Sequence, residues 1–324
     1  MKDRRAESRS NARSDVRLSD LADLVRAPAA LSVPGDVLAG AAAAGHPLNA
    51  PTLGATASSV CLYWAGMALN DYADATVDAV ERPARPIPSG RVPRRTALTV
   101  AGGLTAAGLG LATATGGRRG LLGALPLAGL VWAYDLGLKK TPAGAAAMTG
   151  ARTLNVLAGA LAAAPRGGGG TGTALVNGAV PAALVGAHTY TLMTLSRHEI
   201  TGAPARTPAT TLAATTATAL VTAAPPTLRA LRTPRTDGDA AARLTALLAA
   251  GAALAYLASY GAAQLKAIRK PSGENIRQAV GAGILALMPL QAALTARAGA
   301  PVSAAALSVA HPLARRLARR VSPT

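Results

Sequence analysis

Long runs without a charged residue constrain the fold of this chain more than any other feature. Half of the 324 residues are apolar and only 15% are charged. A helix of about 20 apolar residues crosses a bilayer, and a soluble domain has no need of many such runs. Six runs lack Asp, Glu, Lys and Arg: 37–70, 96–117, 167–196, 207–228, 244–265 and 278–296. The sequence therefore predicts an all-α, polytopic membrane protein.

Prolines, glycine pairs and basic loops divide the apolar sequence into nine segments, so we predict a bundle of nine transmembrane helices. They lie near 21–43, 51–70, 95–115, 119–136, 143–164, 172–196, 208–229, 242–265 and 276–296. We expect one transmembrane domain over 21–297, a basic cytoplasmic tail over 1–20 and a C-terminal segment with a basic tail over 298–324. Whether 298–314 crosses the membrane stays open, because Pro301 and Pro312 disfavour a full span.

The distribution of Lys and Arg predicts the orientation. With the N-terminus in the cytoplasm, the inner segments hold 19 Lys and Arg and the outer loops hold 7. Basic loops remain on the cytoplasmic side. We therefore expect a multi-pass protein of the inner (plasma) membrane whose loop after the second helix faces the cytoplasm. Nucleic-acid binding is not expected, since the basic residues are divided among many loops and only 2% of residues are aromatic.

Acidic residues are scarce, yet Asp71, Asp74 and Asp78 follow the second apolar run where a helix meets water. On one helix these aspartates lie within about 60° of each other. Three carboxylates on one face repel one another unless a cation lies between them. Carboxylates together with substrate phosphates are the ligands that Mg²⁺ prefers, and Arg82 and Arg85 in the next loop can bind the same phosphates. The stretch predicts a metal–diphosphate site at the membrane surface.

The pattern Asn70-Asp71-x-x-Asp74-x-x-x-Asp78, followed by Arg85-Pro86-x-Pro88-Ser89-Gly90-Arg91, resembles the first aspartate-rich motif of the UbiA superfamily of intramembrane prenyltransferases. Two more groups are similar to that family: Arg26-x-Pro28, and Tyr134-x-x-x-x-Lys139-Lys140 with Arg152-x-x-Asn155-Val156-Leu157-x-Gly159. The resemblance implies a nine-helix bundle with a central cavity. In that cavity Mg²⁺ and a polyprenyl diphosphate bind, and the prenyl group passes to an acceptor.

The second aspartate motif of that family, Asp-x-x-Asp-x-x-Gly-Asp, is altered here to Ser196-Arg197-His198-Glu199-Ile200-Thr201-Gly202-Ala203. Glu199 can still bind a hard cation, whereas Ala203 cannot. Three explanations stay open. Arg197 and His198 hold phosphate directly, or His198 or Glu199 is the base that deprotonates the acceptor, or the site only binds an isoprenoid phosphate. This Ser-Arg-His-Glu form is similar to an Ebo-type branch of the superfamily, linked to secreted or exported metabolites.

The resemblance and the chemistry together give each residue a candidate role. Departure of diphosphate from an allylic carbon builds negative charge on oxygen, which Mg²⁺ and cationic side chains stabilise. The candidate metal ligands are Asp71, Asp74, Asp78 and Glu199. The candidate catalytic residues are Asp71, Asp74, His198 and Glu199. The candidate substrate-binding residues are Arg26, Asn70, Arg82, Arg85, Lys139, Lys140, Arg152, Asn155 and Arg197.

We therefore predict a Mg²⁺-dependent membrane prenyltransferase that moves a prenyl group from a polyprenyl diphosphate to an aromatic or other small acceptor. Two alternatives stay open. The first is a non-catalytic isoprenoid-binding or metabolite-export component on the same fold. The second is a related transferase that uses a lipid monophosphate, as in a phosphoribosyl donor reaction.

Overall fold

The computed structural model describes residues 16–45, 48–164, 170–232 and 240–321, and the regular structure in these residues is helical. The predicted all-α class is confirmed. In chain order the α-helices are α1 (Leu18–Leu24), α2 (Pro34–Ala43), α3 (Ala50–Ala73), α4 (Ala75–Glu81), α5 (Arg94–Leu136), α6 (Gly144–Ala163), α7 (Gly170–Ser196), α8 (Arg206–Arg232), α9 (Ala240–Tyr256), α10 (Ala262–Arg269), α11 (Gly273–Arg297) and α12 (Pro301–Val321).

Three helical segments among the described residues are long and apolar enough to cross a membrane by length and composition. They are α5, the stretch Ala240–Arg269 that joins α9 to α10 through a π-helical turn, and α11. The expected number of nine transmembrane helices is therefore not established. Helices α3, α6, α7 and α8 have 20 or more residues, but they are not among these three segments.

The first predicted span, 21–43, is broken rather than continuous. Helix α1 ends at Leu24, Arg26 has a left-handed backbone conformation (φ 47°), and a 3₁₀ turn, Ala27–Ser32, leads into α2. A proline lies at the start of both the 3₁₀ turn and α2. Proline lacks an amide hydrogen and disfavours a helical conformation in the residue before it, so a single helix does not form.

Helix α5 is a helical hairpin and not one straight rod of 43 residues. Gly117 has φ 59° and ψ −144°, which are not helical angles. The chain folds back there so tightly that a Cβ atom on Gly120 would overlap the carbonyl oxygen of Ala112. The predicted division between the third and fourth segments, 95–115 and 119–136, is thus confirmed at the pair Gly116-Gly117.

Substitution of Gly117 or Gly120 by alanine is expected to destabilise this hairpin. The backbone angles of Gly117 strain any L-residue by about 1–3 kcal/mol, and a methyl group at position 120 has no space. We expect each variant to lower the melting temperature in detergent by about 3–10 °C. Gly110→Ala is the control, because its Cβ would meet open space on the same helix. Equal melting temperatures for the three variants would contradict the hairpin.

Small residues let α2 and α6 approach closely in the centre of the bundle. A Cβ atom on Gly40 would overlap the carbonyl oxygen of Val156, and one on Gly159 would overlap that of Val37. Lipid supplies no hydrophobic drive between helices, so such close packing stabilises their association. Helix α6 also packs against α5 and α7, and α3 packs against α5. These contacts place the aspartate-rich stretch beside the end of α5.

Candidate diphosphate site

The aspartate-rich stretch is divided at Asp74, which lies between the end of α3 and the start of α4. Asp71 in the last turn of α3 and Asp78 in α4 are both buried. Arg85 Nη1 donates to both carboxylates, at 3.2 Å from Asp71 Oδ1 and 2.7 Å from Asp78 Oδ2. Asp71 and Asp78 therefore share one cationic group. Asp74 contacts a different cation, so the three carboxylates do not share one face of a single helix.

The loop that carries Arg82 and Arg85 is ordered by its own turn. The Ser89 hydroxyl donates to the carbonyl oxygen of Arg85 at 2.7 Å, and Gly90 has φ 75°. The amide of Val92 donates to the carbonyl oxygen of Pro86 at 2.9 Å. Ser89 and Gly90 thus form a tight turn. It holds Arg85 between the two carboxylates, with Arg82 Nη1 3.7 Å from Asp78 Oδ1.

The N-terminal segment 17–26 is fastened to this loop and to α3. Arg91 Nη1 donates to Asp20 Oδ1 at 2.8 Å and to Asp23 Oδ2 at 2.9 Å, and Arg26 Nη2 donates to Asp71 Oδ1 at 2.8 Å. The hydrogen bond from Arg91 holds the pKa of Asp20 below its ordinary value. Asp20, the last residue of the predicted tail 1–20, takes part in this attachment, and residues 1–15 of the tail lie outside the described residues.

Lys139 joins the aspartate-rich stretch to the end of α5. It lies in the 3₁₀ turn Leu138–Lys140, and its Nζ donates to Asp74 Oδ2 at 2.7 Å and to Asn70 Oδ1 at 2.9 Å. A third oxygen, Asp135 Oδ1, lies 3.8 Å from the same nitrogen. The sequence reasoning missed Asp135. Its position could have indicated it as a site residue, because Asp135 is an isolated acid at the end of an apolar run and lies within the pattern that begins at Tyr134.

The formal charges of this ionic site cancel among its described ion pairs. Its four carboxylates belong to Asp71, Asp74, Asp78 and Asp135, and its four cations belong to Arg26, Arg82, Arg85 and Lys139. A diphosphate would add negative charge to a site that is already neutral. Its binding therefore requires additional cations, or the transfer of existing cations from carboxylate to phosphate.

A cavity of about 190 Å³ lies next to the ionic site, between α3, α5 and α6. Its apolar walls include Leu62, Leu127 and Val131. Asn70 and Asp135 line it beside Lys139, and Ser59 lines it deeper in the bundle, eleven residues or about 16 Å earlier along α3. The cavity is thus an apolar space with one strongly charged end.

Arg152 and Asn155 also line this cavity, and both side chains donate to Asp36 of α2. Fully buried Asp36 accepts hydrogen bonds from Arg152 Nη2 at 3.3 Å, Asn155 Nδ2 at 3.1 Å and Gln291 Nε2 at 2.6 Å, and Arg152 Nε lies 3.1 Å from Asp36 Oδ2 as an ion pair. Gln291 also donates to the carbonyl oxygen of Ser32 at 2.8 Å. Asp36 therefore supplies the partner that an arginine inside a membrane bundle needs. The predicted substrate-binding role of Arg152 stays a prediction.

The altered second motif forms the end of α7 and the turn after it. Gly202 has φ 78°, and a Cβ atom there would overlap the carbonyl oxygen of Pro271. This glycine is needed for packing against the loop before α11, whether or not a metal binds. The backbone oxygen of Glu199 accepts from Arg277 Nη1 at 2.7 Å. Partial burial raises the pKa of the Glu199 carboxyl, while Arg277 and Arg82 act in the opposite direction.

A more open groove of about 470 Å³ lies on the other side of Lys139, between the turn after α5 and the end of α7. Lys139, Lys140, Ser196 and Arg197 line it, and Arg197 Nη2 donates to the carbonyl oxygen of Pro142 at 3.3 Å. His198 and Glu199 are not among the described residues that line this groove or the cavity. Arg197 and Lys140 therefore line one groove together with Lys139. His198 and Glu199 do not line it.

The donor set of the ionic site fits Mg²⁺ in chemical type. Asp71 and Asp78 already hold a cationic nitrogen between them, and Asn70 and Asp74 hold another. Among the described residues, no three or more His, Cys, Asp and Glu side chains form a ready metal site, so the four predicted ligands are not gathered into one set. Mg²⁺ commonly binds through one or two carboxylates together with substrate phosphates, which is compatible with this arrangement.

The fold and the site together define a helical membrane protein in which an apolar cavity ends at a cluster of aspartates and cations. A family model described as the UbiA prenyltransferase family matches residues 34–317. The chain belongs to the UbiA prenyltransferase family. The resemblance drawn from the first aspartate-rich motif is thereby confirmed, while the similarity to an Ebo-type branch stays a prediction.

Several curated relatives are digeranylgeranylglyceryl phosphate synthases. The one from Ignicoccus hospitalis is 42% identical over 119 residues, which cover 37% of this chain and 39% of that protein. The one from Methanopyrus kandleri is 44% identical over 110 residues, which cover 34% of this chain and 38% of that protein. The similarity thus spans less than half the length of either relative.

Two solved structures share the fold. One, from work on digeranylgeranylglyceryl phosphate synthase in membranes, has a TM-score of 0.59 at 14% identity and covers 87% of this chain and 98% of its own. The other, the apo structure of a UbiA homologue from Aeropyrum pernix K1, has a TM-score of 0.58 at 18% identity, covering 87% and 97%. At such low identity these likenesses establish the fold alone.

Proposed function

We propose that this protein transfers a prenyl group from a polyprenyl diphosphate to an acceptor. The observation that carries the proposal is the position of the apolar cavity directly against the ionic site. Asn70 belongs to both, because it lines the cavity and shares Lys139 with Asp74. A prenyl diphosphate has the same two parts, an apolar chain and a highly charged head. The non-catalytic alternative would use the same two features for binding alone.

The cations of the ionic site would bind the diphosphate head. Arg82, Arg85 and Lys139 each contact a carboxylate, and each has further N–H groups that can donate to phosphate oxygens. Mg²⁺, held through Asp71, Asp74 or Asp78, would supply the charge neutralisation that lets diphosphate leave. The turn at Ser89 and Gly90 keeps Arg85 in place without the cost of ordering a flexible loop.

We infer that the acceptor is an alcohol that carries a phosphate group. The relatives named above make a digeranylgeranylglyceryl phosphate, as their name states. The groove beside Lys139 offers Lys140 and Arg197, neither of which has a carboxylate partner among the described ion pairs. A neutral aromatic acceptor, which the sequence also permits, would leave both cations without use. The excess of Lys and Arg on one side of the predicted topology supports a cytoplasmic site in the inner membrane.

The test is an assay of the purified protein in lipid vesicles. The donor is labelled geranylgeranyl diphosphate, and the acceptor is a glycerol phosphate that already carries one geranylgeranyl chain. We expect diphosphate release together with a doubly prenylated product. We expect EDTA to abolish diphosphate release and product formation, because without divalent cations no added charge offsets that of the diphosphate. Addition of Mg²⁺ should restore both.

Two outcomes would contradict the proposal. Absence of diphosphate release with every donor length and every divalent cation would exclude the transferase. Saturable binding of the labelled diphosphate in the same preparation would then favour the non-catalytic isoprenoid-binding alternative. Release with an aromatic acceptor, but not with the glycerol phosphate, would overturn the inferred acceptor class and keep the transferase.

A further inference from the structure

Asp135 is a buried acid for which the fold alone gives little reason. It lies in the last turn of α5 and is only 5% exposed. Its Oδ1 is 3.8 Å from Lys139 Nζ, which is beyond direct hydrogen-bond length. Lys139 makes shorter contacts with Asn70 and Asp74, so its N–H groups are directed mainly to those residues. A buried carboxylate with unused acceptor capacity is costly unless a partner binds it.

The surroundings of Asp135 leave room for such a partner on the cavity side. Asp135 lines the cavity together with Asn70, Tyr134 and Gly66. A Cβ atom on Gly66 of α3 would lie 3.5 Å from Asp135 Oδ2 and 3.0 Å from Val131 Cγ1. Because position 66 is a glycine, the space before this oxygen is not filled by a side chain of α3. A small group of a ligand can therefore reach the carboxylate.

The position of Asp135 also fits the geometry of transfer. The diphosphate head is proposed to bind at Lys139, and the prenyl chain to enter the cavity. The reacting carbon joins these two parts, so it lies where the cavity meets the ionic site. Asp135 is at that boundary, whereas His198 and Glu199 line neither the cavity nor the groove among the described residues.

We propose that Asp135 is the proton acceptor for the hydroxyl group of the acceptor, an inference that rests on the proposed function. The bond between the allylic carbon and the diphosphate oxygen breaks, and its electron pair leaves with diphosphate. The acceptor oxygen forms the new ether bond to that carbon, and its proton passes to the Asp135 carboxylate. Water receives the proton after the product leaves. Each side of the step then balances in atoms and charge.

The test compares wild type with Asp135→Asn, which keeps the shape and removes the basic oxygen. We expect ether formation per turnover to fall about 10²–10⁴-fold. We expect KM for the prenyl diphosphate to stay within about threefold of wild type, because Lys139 keeps its closer contacts with Asn70 and Asp74. Asp135→Glu restores a carboxylate and should recover part of the rate. A melting temperature close to that of wild type establishes that the Asn variant is folded.

The outcomes separate this inference from a structural role and from the proposed function. If Asp135 only positions Lys139, Asp135→Asn will raise KM for the diphosphate, and Asp135→Glu will not recover ether formation. Ether formation near the wild-type rate in Asp135→Asn would overturn the inference and leave the proposed function intact. A wild-type protein that transfers no prenyl group to any acceptor fails as the proposed enzyme, whatever the variants do. If the Asn variant does not fold, a folded Asp135→Glu variant without ether formation overturns the inference.

Discussion

Replacing Asp36 with leucine is expected to destabilise the folded protein by about 3–5 kcal/mol. The substitution removes the only carboxylate that Arg152 contacts among the described ion pairs, and it leaves the amides of Asn155 and Gln291 without their charged acceptor. Asp36 is fully buried, so water cannot replace it. Thermal unfolding in detergent, followed by the loss of helical circular dichroism, measures the effect.

A double-mutant cycle tests whether Asp36 and Arg152 stabilise the protein as a pair or independently of each other. Arg152→Met alone should also destabilise, since it leaves Asp36 as a buried unpaired carboxylate. The double variant Asp36→Leu/Arg152→Met should recover at least half of the lost stability, because neither charge is then stranded. Losses that simply add would contradict the pairing. If the double variant folds and still binds prenyl diphosphate with wild-type affinity, Arg152 is a structural residue and the predicted substrate-binding role is wrong.

Replacing Asp74 with asparagine is expected to reduce diphosphate release by about 10²–10³-fold. Asp74 is the closest contact of Lys139, at 2.7 Å, and is a proposed ligand of Mg²⁺. The variant loses a proposed metal ligand. It also loses the charged partner of the Lys139 ammonium group, which is proposed to bind the diphosphate. Because Asp74 is partly exposed at the end of α3, the melting temperature should change little.

Glu81→Gln is the matched control for Asp74. Glu81 is an exposed acid at the end of α4, within the same stretch, and it has no described ion pair. It should leave the rate of diphosphate release unchanged at equal Mg²⁺ concentration. An equal loss of diphosphate release in both variants would mean that only the total negative charge near the membrane matters. Asp74 would then have no specific role in the reaction. Excess Mg²⁺ should rescue Asp74→Asn partially if weakened metal binding causes the loss.

The sequence predicted the features of the site that are close together along the chain. Asp71, Asp78 and Arg85 lie within fifteen residues, so their spacing was enough to indicate that they belong to one site, whereas the division at Asp74 and the position of Arg85 between the two carboxylates were not predicted. The glycine pair at Gly117 likewise marked the reversal of α5. Such features depend on local backbone preferences, which are visible in composition and spacing.

The features that the sequence did not predict depend on contacts between distant segments. The partner of Arg152 is Asp36, 116 residues earlier, and Gln291 reaches the same carboxylate across 255 residues. Spacing carries no information about such pairs. Asp135 was missed for a related reason, because its importance comes from the cavity and not from its neighbours in sequence. The break in the first span was missed because the apolar composition of the span obscured the effect of its prolines.

The attachment of the N-terminal segment has a consequence for biosynthesis. Arg26 is held by Asp71, 45 residues later, and Asp20 by Arg91, 71 residues later. At about 5–20 residues per second, a ribosome needs several seconds to add those partners. Until then the segment lacks the Asp71 carboxylate and the Arg91 guanidinium that hold it in the folded bundle. We expect it to remain at the membrane surface during insertion and to dock only after α3 has inserted and the loop that carries Arg91 has been synthesised. Closure of this site is then a late step of assembly.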